Sequence, residues 1–134
     1  MPELPKGAGK DSFSLVDAGR LFATMGLAGA GTFLDLACGP GSYSLAAARR
    51  FPALRVQAID LAPGLVAGLR RQAEAAGLAN LRADAADITS PLPLAMGSVD
   101  ACLMAMVVHD LAADGSAPAV LAEVRRVLRP GGVL

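Results

Sequence analysis

Aromatic residues are scarce: the 134 residues include no Trp, one Tyr and four Phe. A ligand pocket walled by aromatic rings therefore has few side chains to draw on. Cysteine occurs twice, at Cys38 and Cys102, without the spacing of a metal site, so no metal is expected. The thiols are expected as small buried hydrophobes, and a reducing cytoplasm is the expected compartment. Neither sign of charge is in excess, since Lys+Arg and Asp+Glu are both 12. That argues against a nucleic-acid-binding surface, which normally carries a basic excess. No apolar run approaches the ~18 residues of a bilayer span. The opening "MPELPKGAGK" lacks the apolar core of a signal peptide. Hydrophobic residues nevertheless make up 54% of the chain, and that excess must pack inside or against a partner.

The length fits one domain. Residues 1–12, rich in Pro, Gly and Lys, are expected as a flexible lead-in, and 13–134 as the folded unit. "FSLVDAGRLFATMGL" places Leu15, Ala18, Leu21, Phe22 and Met25 on one helical face. "TFLDLA" has the character of a buried strand, and "SYSLAAARRF" beyond a Gly39–Pro40–Gly41 turn that of a helix. "LRVQAID" is a second strand closed by Asp60. "PGLVAGLRRQAEAAG" is a second helix with Pro63 in its first turn and Gly77 as a left-handed cap. "NLRAD" is a third strand, and a proline-bearing loop follows. "VDACLMAMVV" is expected to be one long central strand. "APAVLAEVRRVL" puts Val120, Leu121, Val124, Val127 and Leu128 on one face of a helix stopped by "RPGG", and "VL" begins another strand. This alternation implies an α/β fold, a parallel sheet covered on both faces, with ligands beyond the carboxyl ends of the strands.

A strand, a glycine turn and a helix form a nucleotide cradle. Asp60 lies nineteen residues after Gly41, where a carboxylate can accept from a ribose diol. Three features separate this cradle from a dinucleotide site. A dinucleotide turn wants a third glycine, and Ser44 stands there. Asp35 lies inside the apolar first strand, where a carboxylate is costly unless hydrogen-bonded. It suits a ligand with an ammonium and a sulfonium better than a pyrophosphate. Asp84 closes the third strand, where an acceptor suits the exocyclic amine of adenine. The plainer alternative is that all three are turn caps. Asp87 and Asp100 look like ordinary loop and strand-entry residues.

These segments resemble the class I S-adenosylmethionine-dependent methyltransferases, especially the small-molecule, quinone-biosynthesis-like type. "LDLACGPGSYS" is similar to the family's first motif and "AIDLAPGLV" to its second-strand motif. "LRADAAD", "VDACLMAMVVHDL" and "LRPGGVL" are similar to the adenine segment, the fourth strand and the entry to the fifth. The resemblance implies a Rossmann-like doubly wound parallel sheet of order 3-2-1-4-5 and S-adenosyl-L-methionine as cofactor. Asp35 faces its methionine end, and Ala37, Gly39 and Gly41 allow close backbone approach. Asp60 holds the ribose, with Leu61 on the adenine. Asp84 binds the adenine amine, with Ala85 beside it. Met104, Ala105 and Met106 line the methionine side. Ala37 stands where many members have glycine, a mild departure provided no positive φ is required. His109 follows the fourth strand and is a candidate base, a lining residue or a cap. The N-terminal helix either covers the site or packs on the core. The implied chemistry is methyl transfer to a small-molecule acceptor by in-line displacement.

Members of this family continue past "RPGGVL" into an antiparallel pair. The expectation is a sheet truncated before those final strands, as a fragment, a chain completed by another copy or protein, or a short reading frame. An open sheet edge then offers a route to a homo-oligomer. A binding module without catalysis is the alternative to a methyltransferase, and an NAD enzyme is a distant third.

Overall fold

The computed structural model describes residues 12–105 and 107–134. The expected lead-in over 1–12 and the Met106 position lie outside them, apart from Ser12. Five strands form one sheet: β1 (Thr32–Leu36), β2 (Arg55–Asp60), β3 (Leu81–Ala85), β4 (Val99–Leu103) and β5 (Leu128–Val133). Every pairing is parallel and the order is β3-β2-β1-β4-β5, as the resemblance implies. The helices are α1 (Ala18–Thr24), α2 (Ser42–Arg50), α3 (Pro63–Ala75), α4 (Val108–Asp114) and α5 (Ala117–Val127).

Alternation along β1 explains the two layers. Phe33 packs with Phe22 of α1 and Ala47 and Ala48 of α2. Leu34 and Leu36 point the other way, to Val120, Val124 and Val127 of α5 and Leu111 of α4. Under α3, Val66, Leu69 and Ala73 cover Ala58 and Ala83. Both faces of the sheet are thus apolar, as a wholly parallel sheet requires.

Four expectations need correction. The apolar run at 99–108 is not one strand: β4 ends at Leu103 and α4 begins at Val108. Asp110 lies in the first turn of α4 and left-handed Gly115 caps its end, with its N–H on the Leu111 carbonyl. An apolar run alone does not separate a strand from a buried helix. Leu15 is 85% exposed, because Asp17 caps α1 through the Arg20 N–H and so starts the helix at Ala18. Leu121 is exposed too. "RPGG" does not follow the last helix as a loop but lies within β5, whose register shifts between Val99 and Ala101.

Side-chain clamps hold the strand ends. Asp100 accepts from the Gly31 and Thr32 N–H groups at 3.0 and 2.8 Å and pairs with Arg129. It thereby ties β1, β4 and β5 at their amino ends. The Thr32 N–H does most to lower the Asp100 pKa, burial opposes it, and Arg129 and the Gly31 N–H lower it further. Arg126 of α5 donates to the Leu92 and Leu94 carbonyls, while Glu123 accepts from the Leu92 N–H. The proline-bearing segment after β3 is fixed to α5 in this way. Replacement Asp100→Ala should destabilise the chain by about 1–3 kcal/mol, the usual consequence of orphaning donors at an anionic acceptor. The lowered pKa means that this stability is present above the ordinary carboxylate range and lost as pH falls. Urea denaturation at pH 7 and at pH 3 checks both statements; an equal wild-type-to-variant gap at the two pH values is the contrary result.

Candidate functional site

Parallel pairing brings the carboxyl ends of β1, β2, β3 and β4 to one edge of the sheet. The turn after β1 lies in their midst, and its backbone is unusual. Ala37, Gly39 and Gly41 have φ of 59°, 56° and 85°. The proviso attached to Ala37 therefore fails: the position does require positive φ. An L-residue there is strained by about 1–2 kcal/mol. Gly41 is needed for another reason. A Cβ on it would meet the Leu69 side chain of α3 at 2.4 Å, so its bareness lets α3 approach the turn.

Hydrogen bonds lock that shape. The Cys38 N–H donates to the Ile59 carbonyl at 3.0 Å, and the Gly41 N–H to the Cys38 carbonyl. The Gly39 N–H donates to Asp60 Oδ2 at 2.8 Å, and the Ala62 N–H to Asp60 Oδ1 at 2.9 Å. Asp60 thus joins the turn after β1 to the turn after β2. A carboxylate has about four acceptor sites, so two remain for a ligand.

Asp35 lies beneath the turn and is 2% exposed. The Ser44 hydroxyl of α2 donates to its Oδ2 at 2.7 Å. Burial pushes the Asp35 carboxyl up to about 6; the Ser44 hydroxyl and N–H pull it back, and the Asp60 charge adds to the rise. Both cysteines are buried and free. Burial, then the nearby carboxylates, pushes the Cys38 thiol up, and burial, then Asp35, pushes Cys102 up to about 12. Neither is a thiolate near neutral pH. Among the described residues no His, Cys, Asp and Glu cluster could hold a metal.

With this geometry in view, the comparisons fall into line. A family profile described as "Methyltransferase domain" matches residues 33–132, about three quarters of the chain. The chain belongs to this methyltransferase family. It is similar to the demethylmenaquinone methyltransferase of Thermus thermophilus, 41% identical over 101 residues, spanning 75% of this chain and 44% of that protein. It is also similar to the malonyl-[acyl-carrier protein] O-methyltransferase of Serratia marcescens, 38% identical over 88% of this chain and 42% of the other. A crystal structure described as a SAM dependent methyltransferase from Aquifex aeolicus superposes with TM-score 0.76 and 25% identity, over 89% of this chain and 62% of that one. A [4+2]-cyclase, SpnF, superposes with TM-score 0.77 and 25% identity, over 87% of this chain and 42% of that one. The chain spans about half or less of the length of the curated relatives it matches. Its fold is that of the class I S-adenosylmethionine-dependent methyltransferases.

Within this methyltransferase fold, the expected site residues separate into two groups. Asp35, Ala37, Gly39 and Gly41 meet Asp60 at the turn, and half-buried Leu61 follows Asp60 directly. Asp84 stands apart from them. It pairs in register with Ile59, whereas Ala85 pairs with Asp60, so Asp84 and Asp60 point to opposite faces of the sheet. Asp84 accepts from Gln57 at 3.0 Å, Arg82 at 2.9 Å and Arg70 at 3.3 Å. Burial raises its pKa, but Gln57 and the two arginines outweigh that and lower it. Met104 and Ala105 follow β4 and pack toward opposite faces, Met104 with the α5 cluster and Ala105 with the α2 cluster. His109 is the second residue of α4, and its side chain lies outside what the structure describes. On the N-terminal side, Ser12 Oγ lies 2.7 Å from the Tyr43 hydroxyl, and the Phe13 and Tyr43 rings meet edge to face. The segment before α1 therefore reaches the first turn of α2.

Two contacts went unanticipated. Ser44 registers in the sequence only as a missing glycine. It sits one turn before Ala48 on the buried face of α2, and a polar residue there must have a partner. The arginines around Asp84 carry no such signal, because Arg70 comes from a different element.

Two stability measurements follow from this geometry. Ala37→Gly should stabilise by about 1 kcal/mol or less, since relief of the left-handed strain is offset by the greater freedom of an unfolded glycine; a loss of stability in urea denaturation is the contrary result. Asp35→Asn should stabilise by about 1–3 kcal/mol at pH 7. The native carboxyl pKa is raised from 3.8 to about 6, so the stability that Asp35 contributes is full below about pH 4 and lost as pH rises through 6. Thermal melts of the variant from pH 4 to 7 should lack that decline.

Proposed function

We propose that the chain is the cofactor-binding core of a methyltransferase that transfers a methyl group from S-adenosyl-L-methionine to a small-molecule acceptor. The observation that carries this is Asp35: a carboxylate buried under a glycine turn, held by Ser44 alone, with no cation paired to it among the described residues. A ligand whose amino-acid end carries an ammonium beside a sulfonium supplies the missing positive charge. A pyrophosphate does the opposite.

The residues fit such a ligand. Asp35 takes its methionine end, and the carbonyls of Ala37 or Gly39 accept from its ammonium. The two free acceptor sites of Asp60 take the ribose hydroxyls, and Leu61 packs on the adenine. Asp84 has one acceptor site left for the adenine amine, beside Ala85. Met104 and Ala105 line the methionine side. When bound, the cofactor supplies an electrophilic methyl on a sulfonium that is already a good leaving group. The chain's own task is to orient the acceptor about 3 Å from that methyl in line with the breaking bond and to exclude water. His109 is the one imidazole in the sequence and the candidate for taking a proton from the acceptor. Relatives named for demethylmenaquinone and for malonyl-[acyl-carrier protein] support a small or carrier-bound acceptor. No described helix is long and apolar enough to cross a membrane, and cytoplasmic location is part of this reading.

A second reading is an adenosyl-binding module without methyl transfer, completed by another chain or copy. The superposition on a [4+2]-cyclase favours keeping it, since one fold hosts several chemistries.

Calorimetric titration with S-adenosylmethionine, S-adenosylhomocysteine and NAD separates the readings. The adenosyl ligands should bind and NAD should not. Asp60→Ala should weaken S-adenosylhomocysteine by about tenfold or more, the worth of one or two hydrogen bonds to a charged acceptor. Binding of NAD alone, or an affinity unchanged by Asp60→Ala, overturns the assignment. Adenosyl binding without turnover across a panel of acceptors favours the module.

A further inference from the structure

In a dinucleotide turn the third glycine lets the helix close onto the strand. Here the same approach is made by a polar pair. Ser44 is fully buried and Asp35 nearly so. The Ser44 hydroxyl donates to Asp35 Oδ2 at 2.7 Å. That donor stands on a helix that is itself packed into the core, so it holds the carboxylate in place. The described ion pairs of carboxylates belong to Asp84, Asp100 and Glu123, so nothing else in them holds Asp35 by charge.

We propose that Ser44 is a positioning residue that selects ligands by their amino-acid end: it holds the Asp35 carboxylate in the one orientation that meets a cationic head group, so adenosyl ligands carrying that group depend on Ser44 and those lacking it do not. This role rests on the cofactor assignment above.

The groups around Asp35 come from each neighbouring element. β2 brings Asp60, whose charge raises Asp35; the turn brings Cys38 and β4 brings Cys102, both neutral thiols. Among the described residues only Ser44 of α2 favours the anion. Loss of the hydroxyl therefore moves Asp35 upward from about 6, and its protonated form then persists closer to neutral pH.

The test uses the 134-residue chain and two probes by calorimetry from pH 5 to 8. S-adenosylhomocysteine carries the amino-acid end, and 5′-methylthioadenosine lacks it. Wild type should bind S-adenosylhomocysteine progressively less as pH falls through about 6, with 5′-methylthioadenosine little affected. Ser44→Ala should weaken S-adenosylhomocysteine about tenfold at pH 7, move the fall-off to higher pH, and leave 5′-methylthioadenosine unchanged. Ser44→Thr, which keeps the hydroxyl, should retain the wild-type profile. Ser44→Cys keeps the shape without the strong donor and should follow Ser44→Ala, which secures the test if the alanine variant does not fold. The proposal is overturned if the Ala and Cys variants keep the wild-type profile or if both probes weaken equally. Wild type binding neither probe overturns the cofactor assignment itself, and this inference with it.

Discussion

A carboxylate buried in the middle strand of an otherwise apolar sheet sets the terms for the rest of the structure. Asp35 has Ala58 on one side and Leu103 on the other in the parallel register, and neither offers a donor. An unpaired charge at that depth is costly, so the donors must come from above the sheet. That places the first turn of α2 directly over β1, which in turn forces the connecting chain to reverse within a few residues. Three left-handed residues, Ala37, Gly39 and Gly41, accomplish the reversal. The strain at Ala37 is a consequence of this demand, and strain of this kind gathers where function over-determines the backbone.

The second carboxylate makes the turn rigid. Asp60 satisfies the Gly39 and Ala62 N–H groups, so two loops that would otherwise move independently share one acceptor. Leu69 fills the space beside Gly41 from below, coupling α3 to the same turn. The site is therefore braced by β1, β2, α2 and α3 before any ligand arrives. Preorganisation of this kind reduces what binding must spend on ordering loops, and it explains why the acidic positions lie on strand ends and not on mobile segments.

The fold was legible wherever periodicity and punctuation agreed. The strand–turn–helix at 32–50 and the Pro63 start and Gly77 end of α3 follow from patterns of two and 3.6 with Gly and Pro at the joints, whereas the order β3-β2-β1-β4-β5 is what the family resemblance implies. Legibility failed where one apolar run served two elements. Residues 101–108 are apolar throughout, yet Val99–Leu103 pairs in the sheet while Val107 and Leu111 bury against α5. Burial demands the same side chains of a strand and of a short helix, so only Asp110 in the first turn and the Gly115 cap carry the distinction. At the site, Asp35 and Asp60 were readable because a carboxylate at the end of an apolar strand demands an explanation. The engagement of Asp84 by Gln57, Arg70 and Arg82 was not, because it depends on the register of β3 against β2 and on a side chain reaching round from α3.

The two sheet edges differ in a way that bears on assembly. On the β3 edge, Arg70 Nε donates to the Ala83 carbonyl at 2.7 Å, so a side chain already occupies a strand acceptor. On the β5 edge, Pro130 has no N–H to offer and the strand is irregular in register. Strand-to-strand addition needs a regular row of free donors and acceptors. The described edges interrupt that row by two different means, a charged side chain and a proline. Beside β5 the exposed apolar groups are Leu121, Val133 and Leu134, so this edge presents side chains more than a continuous backbone ladder.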